Sequence, residues 1–145
     1  CDAIDARVVL VGSGPVDFDG VPVDVIEWSE ETEIDSISRF DVGIMPLQDT
    51  PWQRGKCGLK LLQYMGCGKP VVASPVGVNR SIVTEDVNGY FASSHEDWVT
   101  QLKRIEEDRE LARHLGANGR KQVETKYCIS ATVPKWCRLI EQIAK

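Results

Sequence analysis

One stretch constrains the fold of this chain more than any other. From Trp52 it leads into Gly58-Leu59-Lys60-Leu61-Leu62-Gln63-Tyr64-Met65-Gly66-Cys67-Gly68-Lys69-Pro70-Val71-Val72-Ala73-Ser74. It reads as a Gly- and Lys-bearing loop, a compact helix from Cys57 to Gly66, a Gly-Lys-Pro break and a buried strand from Val71 to Ser74. That succession is how an α/β protein aims a helix N-terminus at an anionic ligand. Within the predicted helix, Leu59, Leu62 and Met65 step three apart along the face expected to be buried, while Lys56, Lys60 and Gln63 share another face.

The rest of the chain alternates in the same way. Arg7 to Val11 is a short β-branched run that stops at Gly12-Ser13-Gly14-Pro15. A dinucleotide fingerprint would need a third glycine near position 17, where Asp17 stands, so a plain tight turn is expected. Val23 to Trp28 is a second strand. It leads into Ser29 to Glu33, a helix start whose acids suit the helix dipole and are expected to be solvated. Asp41 to Leu47 is a third strand with a polar exit loop, Gln48 to Arg54. In open α/β sheets a ligand lies beyond the carboxyl ends of the strands, so this loop and the one after Trp28 are where it would be met.

Beyond Ser74, the segment Asn79 to Val83 is expected to be helical, Asn88-Gly89 a turn, and Tyr90 to Ala92 an edge strand. From Ser94 the texture is purely helical. Ser94 with Asp97 forms a capping-box pattern, Trp98, Leu102 and Ile105 make an apolar stripe, Gly116 and Gly119 mark a break or a tight packing point, and a last helix runs from Val133 to Ile143. Strand-helix alternation followed by helices predicts an α/β fold, a Rossmann-like doubly wound parallel sheet with C-terminal helices, over residues 1 to 145 as one domain.

With 42% hydrophobic and 27% charged residues, the 145-residue chain has the composition of a globular domain able to bury one core. A net charge of -5 argues against nucleic acid as a partner. The longest apolar runs fall far short of the ~20 residues a bilayer requires, and no signal peptide is recognisable, so a cytoplasmic location is expected. Five cysteines without a Cys-x-x-Cys pair or histidines at zinc spacing read as free thiols, and no metal site is expected. His95 and His114 stand beside no serine or cysteine nucleophile in a recognisable triad, which argues against hydrolytic chemistry. A start at Cys1 followed almost at once by a strand suggests a piece of something longer.

Taken together, Gly58 to Met65, Gly68 to Ser74, Gly77 and Asn88-Gly89-Tyr90 resemble the C-terminal, nucleotide-sugar-binding domain of family-four retaining glycosyltransferases of the GT-B fold. The resemblance runs from about Arg7 to the last helix. It implies a retaining transferase that moves a sugar from a nucleoside diphosphate donor to a glycan, lipid or other acceptor. It also implies an N-terminal acceptor domain outside this chain, with peripheral membrane association through that domain among the consequences, and an isolated domain that binds without turning over.

Such enzymes carry two glutamates eight positions apart, which fall here on Gly55 and Gln63. Gln63 keeps an amide oxygen that accepts from ribose hydroxyls, whereas Gly55 leaves nothing beside the transferred sugar. A non-catalytic sugar-nucleotide-binding module is therefore the alternative.

In this reading Gly55, Lys56, Cys57, Gly58, Leu59 and Lys60 hold the diphosphate through backbone N–H groups, the helix dipole and two ammonium groups, and Gly58 lets the phosphates approach. Lys60 is the candidate for stabilising the leaving group. The substrate is the nucleotide sugar, with no cofactor and no metal. The base would sit in the loop after Trp28, whose indole is itself expected first as core packing.

Overall fold

The computed structural model describes residues 4, 6–16 and 18–144, so Cys1 and Asp17 lie outside the described residues. Strand β1 (Val8–Val11) runs parallel to β2 (Val23–Ile26), with Val8 opposite Val23 and Val11 opposite Ile26. A second parallel set has the order β3 (Gly43–Met45), β4 (Val71–Ala73), β5 (Gly89–Phe91). Parallel neighbours need a crossover. Helix α1 (Glu33–Ser38) leads from β2 to β3, α2 (Pro51–Arg54) and α3 (Leu59–Gly66) lead to β4, and α4 (Asn79–Ile82) leads to β5. Then follow α5 (His95–Glu107), α6 (Arg109–Gln122), a π-helical turn over Val123–Tyr127 and α7 (Ile129–Ile143). The α/β class is as expected. The strands, however, hydrogen-bond as two sets rather than one continuous sheet, because among the described residues no strand pairs with the second edge of β1 or of β3.

Strand β4 is the centre of the molecule. Val71, Val72 and Ala73 are all fully buried, and successive side chains of a strand point to opposite faces. Val71 and Ala73 pack with Leu61 and Met65 of α3 and with Ile82 and Val83, whereas Val72 packs with Tyr90, Ala92, Ile105 of α5 and Leu115 of α6. Helices thus cover both faces of one strand, which is what a doubly wound sheet requires.

Several boundaries differ from expectation. The third strand stops at Met45 because Pro46 has no N–H to donate and the Leu47 amide turns instead to Ser74 Oγ, 2.9 Å away. Its exit loop contains a helical turn, opened by Thr50, whose Oγ1 accepts from Gln53 N at 3.3 Å, with Pro51 at the first helical position. Helix α3 begins at Leu59 rather than Cys57, since Gly58 is left-handed with φ +71. Its buried face is Leu61 with Met65, one turn apart, while Leu59 is 55% exposed.

The C-terminal elements are also longer than anticipated. Helix α6 runs unbroken through Gly116 and Gly119, which serve close packing: a Cβ on Gly116 would collide with the Gly68 carbonyl, and one on Gly119 would lie 2.9 Å from Met65 Cγ. Helix α7 begins four residues before Val133 and takes Pro134 inside it. The predicted capping box is present, with Asp97 Oδ2 accepting from Ser93 N and Ser94 N at 2.9 Å each, and these bonds hold the Asp97 carboxyl below its ordinary pKa. Asn88, read as a turn residue, is fully buried. Its amide donates to Ile82 O and Gln122 Oε1 and accepts from Thr84 N, so it joins three segments.

Candidate functional site

The loop from Gly55 to Gly58 leads from α2 into α3 at the carboxyl end of the β3–β4–β5 set. Two close approaches hold it. A Cβ on Gly77 would fall 2.5 Å from Arg54 O, so only a glycine lets the turn after β4 lie against this loop. A Cβ on Gly58 would fall 2.5 Å from Ile82 Cδ1 and 3.1 Å from Val78 Cγ1. The glycine at 58 is thus required by its left-handed backbone and by α4 beneath it. This is a packing reason, where the sequence suggested room for a phosphate. Asn79 Nδ2 donates to Ser74 O at 3.0 Å and ties the start of α4 to the end of β4.

No side chain caps α3, and among the described residues no protein acceptor takes the Leu59 and Lys60 amides. These N–H groups and the dipole behind them face outward as a site for negative charge. Lys60 and Gln63 stand one turn apart on the same side and are both held by Glu33, the first residue of α1. Glu33 Oε1 accepts from Lys60 Nζ at 2.9 Å and from Trp28 Nε1 at 3.0 Å, and Oε2 accepts from Gln63 Nε2 at 2.6 Å. The Lys60 bond first, then the indole, holds the Glu33 carboxyl below its ordinary pKa. Glu33 is 18% exposed and Lys60 52%. The other end of the amide, Gln63 Oε1, is buried and has no hydrogen-bond partner among the described residues.

Trp28 joins this cluster to a cleft. The indole is 52% exposed, so it is not the core residue first expected. It lines an open cleft of about 970 Å³ together with Gly12, Gly14, Pro15, Val23, Val25 and Glu27, which runs along β2 from its first residue to the loop after it. Its Cβ packs against Gly12, where a side chain would not fit.

The predicted site residues therefore divide. Lys60 and Gln63 come together, with Trp28 beside them through Glu33. Gly55 caps α2, Cys57 is exposed in the loop, and Lys56 is exposed and forms no ion pair among the described residues. Leu59 contributes its amide while its side chain faces solvent. The residue that sequence reasoning missed is Glu33, taken there for a solvated first-turn acid. The one available signal was its place just after the Trp28 loop, since nothing local reveals that α1 packs against α3. No group of acidic, histidine or cysteine side chains among the described residues is arranged to hold a metal ion.

Comparison with known proteins agrees with this architecture. The family model described as "Glycosyl transferases group 1" matches residues 22–122, well over half of the chain. A sulfoquinovosyl transferase of Arabidopsis thaliana is 29% identical over 143 residues, covering 90% of this chain and 27% of its own length. Sucrose-phosphate synthase from Thermosynechococcus elongatus superposes with a TM-score of 0.78 at 24% identity, over 94% of this chain and 38% of that one. The Anabaena protein HepE, solved in complex with UDP-glucose, superposes with a TM-score of 0.69 at 16% identity, over 83% of this chain and 32% of that one. The chain thus spans between a quarter and two fifths of the length of these relatives. A parallel α/β core covered on both faces, an uncapped α3 above it and the family match together place this chain among the group 1 glycosyl transferases.

Proposed function

We propose that this chain is the donor-binding domain of a retaining glycosyltransferase whose substrate is a nucleoside diphosphate sugar. The observation that carries the reading is the uncapped start of α3, with the Lys60 ammonium and the unpartnered Gln63 Oε1 one turn further on. The diphosphate would lie on the Leu59 and Lys60 amides, with Lys56 and Lys60 balancing the charge that grows as the glycosidic bond breaks. Gln63 would accept from the ribose. The base would enter the cleft beside Trp28. The UDP-glucose bound to HepE, which shares the fold, supports the same class of donor.

In this reading acceptor binding and turnover belong to a second domain, the isolated domain binds without transferring, and the diphosphate is held without a metal. A non-catalytic sugar-nucleotide-binding module is the second reading, favoured by Gly55. Its φ of -79 is one any residue adopts, and a Cβ there would sit 3.5 Å from Trp52 O in ordinary contact, so the fold does not impose the missing carboxylate.

Calorimetry with UDP, GDP, ADP and TDP, with and without EDTA, tests both readings. One nucleotide is expected to bind preferentially and independently of EDTA. Lys60→Ala is expected to weaken it about ten- to a hundredfold, the value of a charge-assisted contact. Binding by none of the four would reject both readings. Separating them takes the longer protein: sugar transfer supports the first, and binding without transfer supports the second.

A further inference from the structure

We propose that Glu33 is a positioning residue that, with Gln63, forms a divided carboxylate: the amide oxygen of Gln63 is kept as the free acceptor for the ligand and the charge stands behind it on Glu33. The inference rests on the reading of Gln63 as the ribose contact and adds what makes that contact work. A free glutamine amide presents either its oxygen or its NH2 group, and the two ends are nearly alike in shape. Here the choice is made. Gln63 Nε2 lies 2.6 Å from Glu33 Oε2, and the opposite orientation would set the amide oxygen against the carboxylate with no hydrogen between them. The end left over is Oε1, buried and without a partner among the described residues.

An orphan acceptor of this kind is unfavourable until a donor reaches it. It selects a ligand group that donates, a hydroxyl, over one that only accepts. The anion behind the amide strengthens the effect, because a donor bonded to a carboxylate pushes electron density toward its own carbonyl oxygen, as in any chain of hydrogen bonds. Glu33 is anchored for this task by two further donors, Trp28 Nε1 and Lys60 Nζ, which leave its carboxyl ionised. The position that a carboxylate would fill in the resembling enzymes is therefore served by two residues from two helices, Gln63 on α3 and Glu33 on α1.

The test is a double-mutant cycle read as the ratio of affinities for a ribonucleoside diphosphate and its 2′-deoxy counterpart, UDP and dUDP in the first instance. Glu33→Gln removes the charge and the fixed amide orientation, and is expected to lower the preference for the ribonucleotide about tenfold. Gln63→Glu alone sets two carboxylates face to face and is expected to lower it as well. The double variant Glu33→Gln with Gln63→Glu places one carboxylate at the ligand with an amide behind it, and is expected to restore the preference. Such reciprocal rescue would not arise from a merely structural role, and thermal melts of all four proteins separate loss of fold from loss of selectivity. An unchanged ratio in Glu33→Gln, or no rescue in the double variant, overturns the inference while leaving the donor-binding reading intact. Failure of the unaltered protein to bind any nucleoside diphosphate overturns both.

Discussion

Strands β4 and β1 begin from the same kind of sequence and end in different surroundings. Val71-Val72-Ala73 is sealed on both faces by α3, α5 and α6. Val8-Val9-Leu10-Val11 is as apolar, yet every residue of it is only partly buried, and Val25 in the neighbouring β2 is 42% exposed. The difference lies in the covering elements. The β3–β4–β5 set carries helices on both faces, whereas among the described elements β1 and β2 pack chiefly on each other, and it is α1, following β2, that meets α3. The candidate site spans that seam. The uncapped start of α3 belongs to the well-packed half, the Trp28 cleft to the lightly packed half, and Glu33 joins the two.

The largest effect expected from this contrast is in stability. Met65→Ala should cost about 2–5 kcal/mol, because a fully buried side chain wedged between β4 and α6 leaves a cavity. Val25→Ala should cost less than about 1 kcal/mol. Equal losses in denaturant melts would erase the distinction between the halves.

Next comes Gly58→Ala, with an expected cost of about 1–3 kcal/mol from the left-handed backbone and from collision with Ile82. A crystal structure of that variant should show α3 shifted at its first turn. An unshifted, equally stable variant would mean that α4 does not fix the start of α3.

The smallest effect concerns the seam alone. The folded-state pKa of Glu33 is lowered, so its contribution is present above the ordinary carboxylate range and is lost as pH falls through the lowered value. Hydrogen exchange at progressively lower pH should therefore reveal α1 loosening before β4, after correction for the intrinsic exchange rate. Glu33→Gln should abolish that pH dependence, and an α1 that loosens at the same pH in the variant would show that another group controls the seam.

Much of the fold was legible in order of appearance. Short apolar runs marked all five strands, and the Ser94–Asp97 pattern marked the start of α5, because these signals act over a few residues. What could not be read was which face each element buries. Leu59, Leu62 and Met65 made a plausible stripe, but α3 turns Leu61 and Met65 inward because β4 and α6 lie on that side. Trp28 looked like core and stands half exposed at a cleft for the same reason: burial is decided by neighbours far away in sequence.

The site divides along the same line. The chain by itself determined a Gly-bearing loop, a helix start with free amides and the pairing of Lys60 with Gln63 one turn apart, all consequences of local backbone geometry and helical period. Only the tertiary structure decided that Glu33, 27 residues from Lys60 and 30 from Gln63, reaches both. It likewise decided that the Gln63 amide points its oxygen away from that carboxylate. A hydrogen bond between helices depends on how they pack, and that packing is set by the core beneath them rather than by any residue at the site.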